Sequence, residues 1–296
     1  MTSSSMLFDT AWRELLPVRA TRQSQSLMRH VFAAMARIRA RLLTTILMTL
    51  VAAATDAATC TAESGTRRIA LLELYTSEGC NSCPPTDRWV SELPGRGYIP
   101  ASVVTLEFHV DYWNYLGWPD PFSKAQYSER QRITSLRNRT RVVYTPQLLL
   151  NGKDFRRGVV FDDFGARLSA LDREHARATI SLQVHTDDST GLGVTGTATV
   201  ADAALRGGAQ AYLALYENNL SNQVTAGENR GKRLRHDFVV RDLAGPLPVD
   251  SSGESRLRQR FSLDPRWKTG DLHVAAFVQN ERSGDVLQAF TIPYCH

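Results

Sequence analysis

The sequence predicts an α/β domain followed by an all-β sandwich, and three observations predict it. An apolar run at residues 69–75 breaks at Thr76-Ser77-Glu78-Gly79 and delivers Cys80-Asn81-Ser82-Cys83 to a helix start. Apolar runs and helical spacings then alternate to about residue 176. Beyond His175 the pattern changes to short period-two runs separated by polar turns.

Taken in order, residues 69–75 read as a buried parallel strand, continuous in apolar character except at Glu73, which alternation points to the opposite face from Leu74. Pro84 and Pro85 fit only the first turn of the helix that follows, which runs to Leu93 and stops at Pro94-Gly95. A second strand, 102–110, opens into an aromatic loop, 111–121. A polar helix over 123–138 follows, with Ser123 as its N-cap. Residues 142–150 form a strand carrying Thr145-Pro146, Asn151-Gly152 signals a hairpin, and 155–160 is the return strand. Phe161, Phe164, Leu168 and Leu171 have the spacing of an amphipathic helix. Seven runs follow, at 179–184, 194–200, 211–216, 234–240, 257–263, 272–278 and 286–292, and suggest an antiparallel sandwich of immunoglobulin-like kind. The expected division is a leader over 1–58 and domains over 59–176 and 177–296.

The cysteine spacing has chemical meaning. A helix N-terminus favours a thiolate over a thiol, so Cys80 is the expected nucleophile and Cys83, beyond two intervening residues, the thiol that resolves a mixed disulfide. A structural zinc site would want a second pair of the same spacing, which the chain lacks. Pairing Cys80 with Cys83 leaves Cys60 and Cys295, expected as a structural disulfide between the two ends of the exported chain. Closing so long a loop stabilises by about 4 to 5 kcal/mol through chain entropy.

The formal charge of +5 is misleading, because residues 1–58 hold seven arginines against three acids and the rest balances at 28 basic to 27 acidic residues. No nucleic-acid footprint is expected from a near-neutral remainder. Arginines at 37, 39 and 41, an apolar stretch over 42–54 and small residues to Ala58 describe a secretory signal peptide, with Met28 or Met35 as alternative starts. The other reading is an uncleaved anchor, against which the short apolar stretch argues. An exported protein, periplasmic or secreted, is expected, with no membrane span once the signal is removed. Oligomeric state has no signature in the sequence.

The order strand, helix, strand, helix, hairpin, helix, with Cys80-Asn81-Ser82-Cys83 at the first strand-helix junction and Thr145-Pro146 before Gln147, resembles the thioredoxin fold over residues 66–176. That resemblance implies a thioredoxin-like α/β domain, with Cys80 as nucleophile, Cys83 as resolving thiol and a cis Thr145-Pro146 turn facing them toward substrate. Thioredoxins carry a buried acid six residues before the first cysteine, where this chain has Leu74. Glu107, His109 and Asp111 are the candidates to replace it in proton transfer or thiolate stabilisation. The longer pattern, from Gly79 to Pro85, Phe108 to Trp113, Leu116-Gly117-Trp118 with Asp120-Pro121-Phe122, and Tyr144 to Gln147, resembles the exported bacterial domain-of-unknown-function family 1223. In the aromatic loop, Trp113 and Trp118 are candidates for a substrate platform beside Cys80, or for packing. The polar stretch 217–231 reads as a solvated loop or as a cap over the cysteines. His236 and Asp237 read as cross-strand contacts.

The function expected is thiol-disulfide exchange on a protein or small-molecule partner, with no cofactor. Two other classes stay open: a copper-binding protein using Cys80, Cys83 and His109, and a non-catalytic envelope module whose pair is a structural disulfide.

Overall fold

Strands from both halves of the chain share one sheet. The computed structural model describes residues 59–140, 142–155, 163–188 and 190–295. The strands are β1 (Thr59–Glu63), β2 (Ala70–Thr76), β3 (Val103–His109), β4 (Gln147–Leu150), β5 (Lys153–Asp154), β6 (Thr179–Asp188) and β7 (Gly191–Thr199), then β8 (Ala209–Glu217), β9 (Leu220–Gln223), β10 (Arg233–His236), β11 (Val239–Pro248), β12 (Glu254–Ser262), β13 (Leu272–Asn280) and β14 (Val286–Pro293). The helices that concern the site are α1 (Pro84–Ser91), α2 (Ala125–Arg137) and α3 (Asp163–Asp172). The expected leader and most of the return strand at 155–160 lie outside the described residues.

The large sheet has eight strands in the order β14-β13-β8-β11-β3-β2-β4-β5, and a second sheet has the order β1-β6-β7-β12. β9 and β10 form a separate two-stranded ribbon. The expected α/β thioredoxin-like domain followed by an all-β immunoglobulin-like sandwich is therefore corrected: the chain forms a mostly β structure in which β8, β11, β13 and β14 extend the same sheet as β2, β3 and β4. The joint is β3, which pairs in parallel with β2 on one edge and with the start of β11 on the other. There the Glu107 N–H donates to Phe238 O at 2.8 Å. An open β3 edge would leave backbone donors and acceptors unpaired, and β11 satisfies them at Glu107.

Local readings fared better than the assembly. Pro84 opens α1 in the first turn, where a missing N–H costs no helical bond. Helix α2 starts one residue past Lys124 rather than on a Ser123 cap, because the Ser123 hydroxyl instead donates to Asp120 O at 2.8 Å. The run at 234–240 is divided into β10 and β11 by Phe238, whose φ of 61° turns the chain.

Three apolar layers hold these pieces. Ile180, Leu182, Val184, Leu257 and Phe261 of the small sheet pack on Leu213, Leu215 and Val274 of the large one. One further face of the large sheet buries Tyr75, Phe108 and Phe277 with Tyr127 of α2. Leu72 and Leu74 pack with Trp89 and Val90 of α1 and Phe164 of α3. Glu73 does lie on the face opposite Leu74, buried against α2, where its Oε1 accepts from Arg130 Nε at 2.8 Å. Cys60 and Cys295 are joined, with Cα atoms 5.7 Å apart, and tie β1 to the end of the chain. Among the described residues no helix is long and apolar enough to cross a membrane.

Candidate functional site

The end of β2 delivers the cysteines to a crowded junction. Ser77 Oγ accepts from the Gly79 N–H at 3.0 Å and Ser77 O from the Cys80 N–H at 3.1 Å, closing the turn. Gly79 suits it because a Cβ there would stand 3.0 Å from the Cβ of Trp113 and 3.3 Å from its carbonyl oxygen. Cys83 caps α1. Cys80 and Cys83 form a disulfide, Cα atoms 5.5 Å apart. The Thr145-Pro146 bond is cis, and Cys80 Sγ lies 3.9 Å from Thr145 O. The pair and the proline turn, 65 residues apart in sequence, thus lie side by side.

The aromatic loop frames this junction. Trp113 Nε1 donates to Thr145 Oγ1 at 2.8 Å, and Trp118 Nε1 donates to Glu78 Oε2 at 2.9 Å. Both rings are half-buried. They hold the turns on either side of the disulfide. The polar stretch between β9 and β10 covers the pair: Asn229 is buried and its amide donates to Glu78 O at 2.8 Å and Cys80 O at 2.9 Å, while Glu228 Oε2 accepts from the Asn81 N–H at 3.0 Å. Asn81 and Ser82 are exposed, but Cys80 is only 1% exposed and Cys83 is buried.

Behind the cysteines lies a buried ionisable cluster. Glu107 and His109 share a face of β3 by strand alternation, and His236 comes from β10. Glu107 Oε1 is 2.9 Å from His109 Nε2 and 2.8 Å from His236 Nδ1. The far nitrogens also meet carboxylates: His109 Nδ1 faces Asp120 Oδ2 at 2.7 Å, and His236 Nε2 faces Glu78 Oε1 at 3.2 Å. Asp120 Oδ2 accepts the Glu78 N–H as well, at 2.8 Å, which links the cluster to the cysteine turn. Asp87 of α1, buried nearby, accepts from Thr76 Oγ1 at 2.7 Å.

The charges are interdependent. Burial opposes a charge on His109, but Asp120 and Glu107 override it and raise the imidazole to about 9. At His236 burial is likewise overridden, by Glu107 and Glu78, and its pKa stands well above the usual value. Burial pushes Glu107 up, yet the two histidines leave it below the ordinary range. Asp120 is also lowered: His109 outweighs the effect of burial. Asp87 goes the other way, to about 7, through burial and then the charge of Glu107.

Of the residues singled out in the sequence, Glu107 and His109 enter this cluster. Asp111 does not; its N–H donates to Ser128 Oγ at 3.1 Å, at the start of α2. The ring nitrogens of His109 face Glu107 and Asp120. Sequence reasoning missed Glu78, Asp87, Asp120, Asn229 and the part played by His236. For His236 a signal existed: alternation in Arg233-Leu234-Arg235-His236 places it on the face of Leu234, and the strand is exposed and buried in turn. The others sit in turns or on a helix of mixed character, where no periodicity marks them.

Two disulfides are consistent with an exported protein. Among solved structures, the chain is similar to a structural-genomics target protein from Agrobacterium tumefaciens, at 24% identity and a TM-score of 0.53, over 77% of this chain and 96% of that one. It is also similar to HBP35 of Porphyromonas gingivalis, at 15% identity and a TM-score of 0.59, over 78% of this chain and 76% of that one. These likenesses concern the fold alone. No curated protein matched the chain. The family model described as "Protein of unknown function (DUF1223)" matches residues 71–279, and with that share of its length matched the chain belongs to this family.

Proposed function

We propose that this chain is an exported thiol-disulfide oxidoreductase, periplasmic or secreted, acting through Cys80 and Cys83 on a protein or small-molecule thiol or disulfide. The observation that carries the reading is the meeting of the Cys80–Cys83 disulfide, at the start of α1, with the cis Thr145-Pro146 turn 3.9 Å from Cys80 Sγ. The likeness to thioredoxin-type enzymes is proposed for this local chemistry and not for the fold. In the reduced state the Cys80 thiolate attacks a substrate disulfide, forming a mixed disulfide and releasing one substrate thiolate. The Cys83 thiolate then attacks Cys80 Sγ, closing the 80–83 bond and releasing the second substrate thiol. The helix N-terminus supports the thiolate, and Thr145 O is placed beside an incoming chain. Trp113 and Trp118 are positioning residues that hold the turns around the pair.

One observation favours a second reading. Cys80 is 1% exposed beneath the Asn229 loop, as suits a structural disulfide in a non-catalytic module. The equilibrium reduction potential in glutathione buffers separates the two. A value between roughly −120 and −270 mV supports exchange, and one below about −300 mV supports the structural bond. In the exchange case Cys83→Ser accumulates a mixed disulfide with substrate and Cys80→Ser does not. The copper reading with Cys80, Cys83 and His109 has less support, since the two sulfurs are bonded to each other and the His109 ring nitrogens face Glu107 and Asp120.

A further inference from the structure

We propose that Glu107, His109 and His236 bind one divalent metal ion, zinc by their donor type, in a buried three-ligand site that clamps the β9-β10 ribbon to β3. The three facing atoms are Glu107 Oε1, His109 Nε2 and His236 Nδ1, and ligand atoms of these residues all lie within 4.8 Å of one another. Two imidazoles and a carboxylate are an established donor set for zinc. At zinc-ligand bonds of about 2.0–2.1 Å, the edge of a tetrahedron is about 3.4 Å. The present separations of 2.8 and 2.9 Å from Glu107 Oε1 need to open by about half an ångström to admit the ion.

The surroundings point to an ion rather than to hydrogen bonds alone. Each histidine presents its other ring nitrogen to a carboxylate, His109 to Asp120 and His236 to Glu78. That second carboxylate fixes the tautomer and orientation of a metal-binding imidazole. Without an ion, both rings must carry a proton on each nitrogen to satisfy four contacts, which places two buried cations with ring centres 4.8 Å apart. A divalent ion supplies the same two positive charges at one point and leaves both rings neutral. The same region holds buried carboxylate oxygens without a hydrogen-bond donor, Glu107 Oε2 and Asp87 Oδ2. Buried carboxylate oxygens without donors are costly.

The site is separate from the exchange chemistry proposed for Cys80 and Cys83, and the test keeps the two apart. The full chain is refolded with Zn²⁺ or Co²⁺, freed of loose metal by gel filtration, and its metal content and melting temperature are measured. One equivalent of zinc per chain, a higher melting temperature than after chelation, and cobalt absorption without a sulfur-to-metal charge-transfer band are expected. A Cys80→Ser/Cys83→Ser double variant retains the metal. Glu107→Gln, close in size and still able to hydrogen-bond, binds at least about tenfold more weakly. Less than about a tenth of an equivalent in the unsubstituted chain, loss of metal in the double cysteine variant, or undiminished binding in Glu107→Gln would each overturn the proposal.

Discussion

The Asn229→Ala substitution tests whether the loop between β9 and β10 guards the disulfide. The Asn229 amide donates to Glu78 O and Cys80 O, at 2.8 and 2.9 Å, and its Oδ1 accepts from Lys232 Nζ at 2.9 Å. Removing the amide breaks two buried bonds. Each such bond is worth about 0.5–1.5 kcal/mol net, and a buried acceptor stripped of its donor costs about 1–3 kcal/mol. Water entering beside Cys80 relieves part of that penalty, so the expected loss is about 2–4 kcal/mol. Urea unfolding followed by fluorescence measures it. The kinetic counterpart is the rate at which dithiothreitol reduces the Cys80–Cys83 bond, which should rise because Cys80 loses its cover. Stability within about 0.5 kcal/mol of the parent, together with an unchanged reduction rate, would refute the reasoning.

Replacing Cys60 and Cys295 by alanine should cost about 5 kcal/mol, because the bond closes a separation of 235 residues; equilibrium unfolding under non-reducing conditions reads it. Glu73→Ala leaves Arg130 buried without its carboxylate, and calorimetry should show a loss of about 3–5 kcal/mol, much of it recovered in Glu73→Leu/Arg130→Met. A double variant no better than the single one would contradict that account. Gly79→Ala forces the new methyl against Trp113 and should destabilise by about 1–3 kcal/mol, with altered tryptophan fluorescence as the chain beside Thr145 shifts.

What the sequence made legible was local. Residues 69–75 are apolar enough to mark a buried strand, two prolines mark the first turn of α1, and the four cysteines sort into the two disulfides seen. Partners of strands were not legible in the same way. Alternation in residues 211–216 or 272–278 shows that a strand has two faces, but not whose edge it will join, because pairing depends on surface supplied by distant parts of the chain. The two-domain reading failed for that reason. The free edge of β3 is filled by β11, and the backbone that makes the joint begins at Phe238, where the left-handed φ cannot be read from an aromatic residue in a period-two run.

The same joint explains why the buried cluster escaped notice. Glu107 and His109 were visible as candidates because they end a recognisable strand before an aromatic loop. His236 reaches them only because the turn at Phe238 carries β11 onto β3, which brings the preceding β10 alongside. A reader who separates the chain at residue 176 separates the histidines too. Joined, they give Glu107 two imidazole neighbours and make the cluster depend on both halves of the sequence. The pairing of β3 with β11 and the assembly of the Glu107, His109 and His236 site are therefore one structural event, and a change that weakens the strand pairing should loosen the ribbon and its Asn229 cover over the cysteines as well.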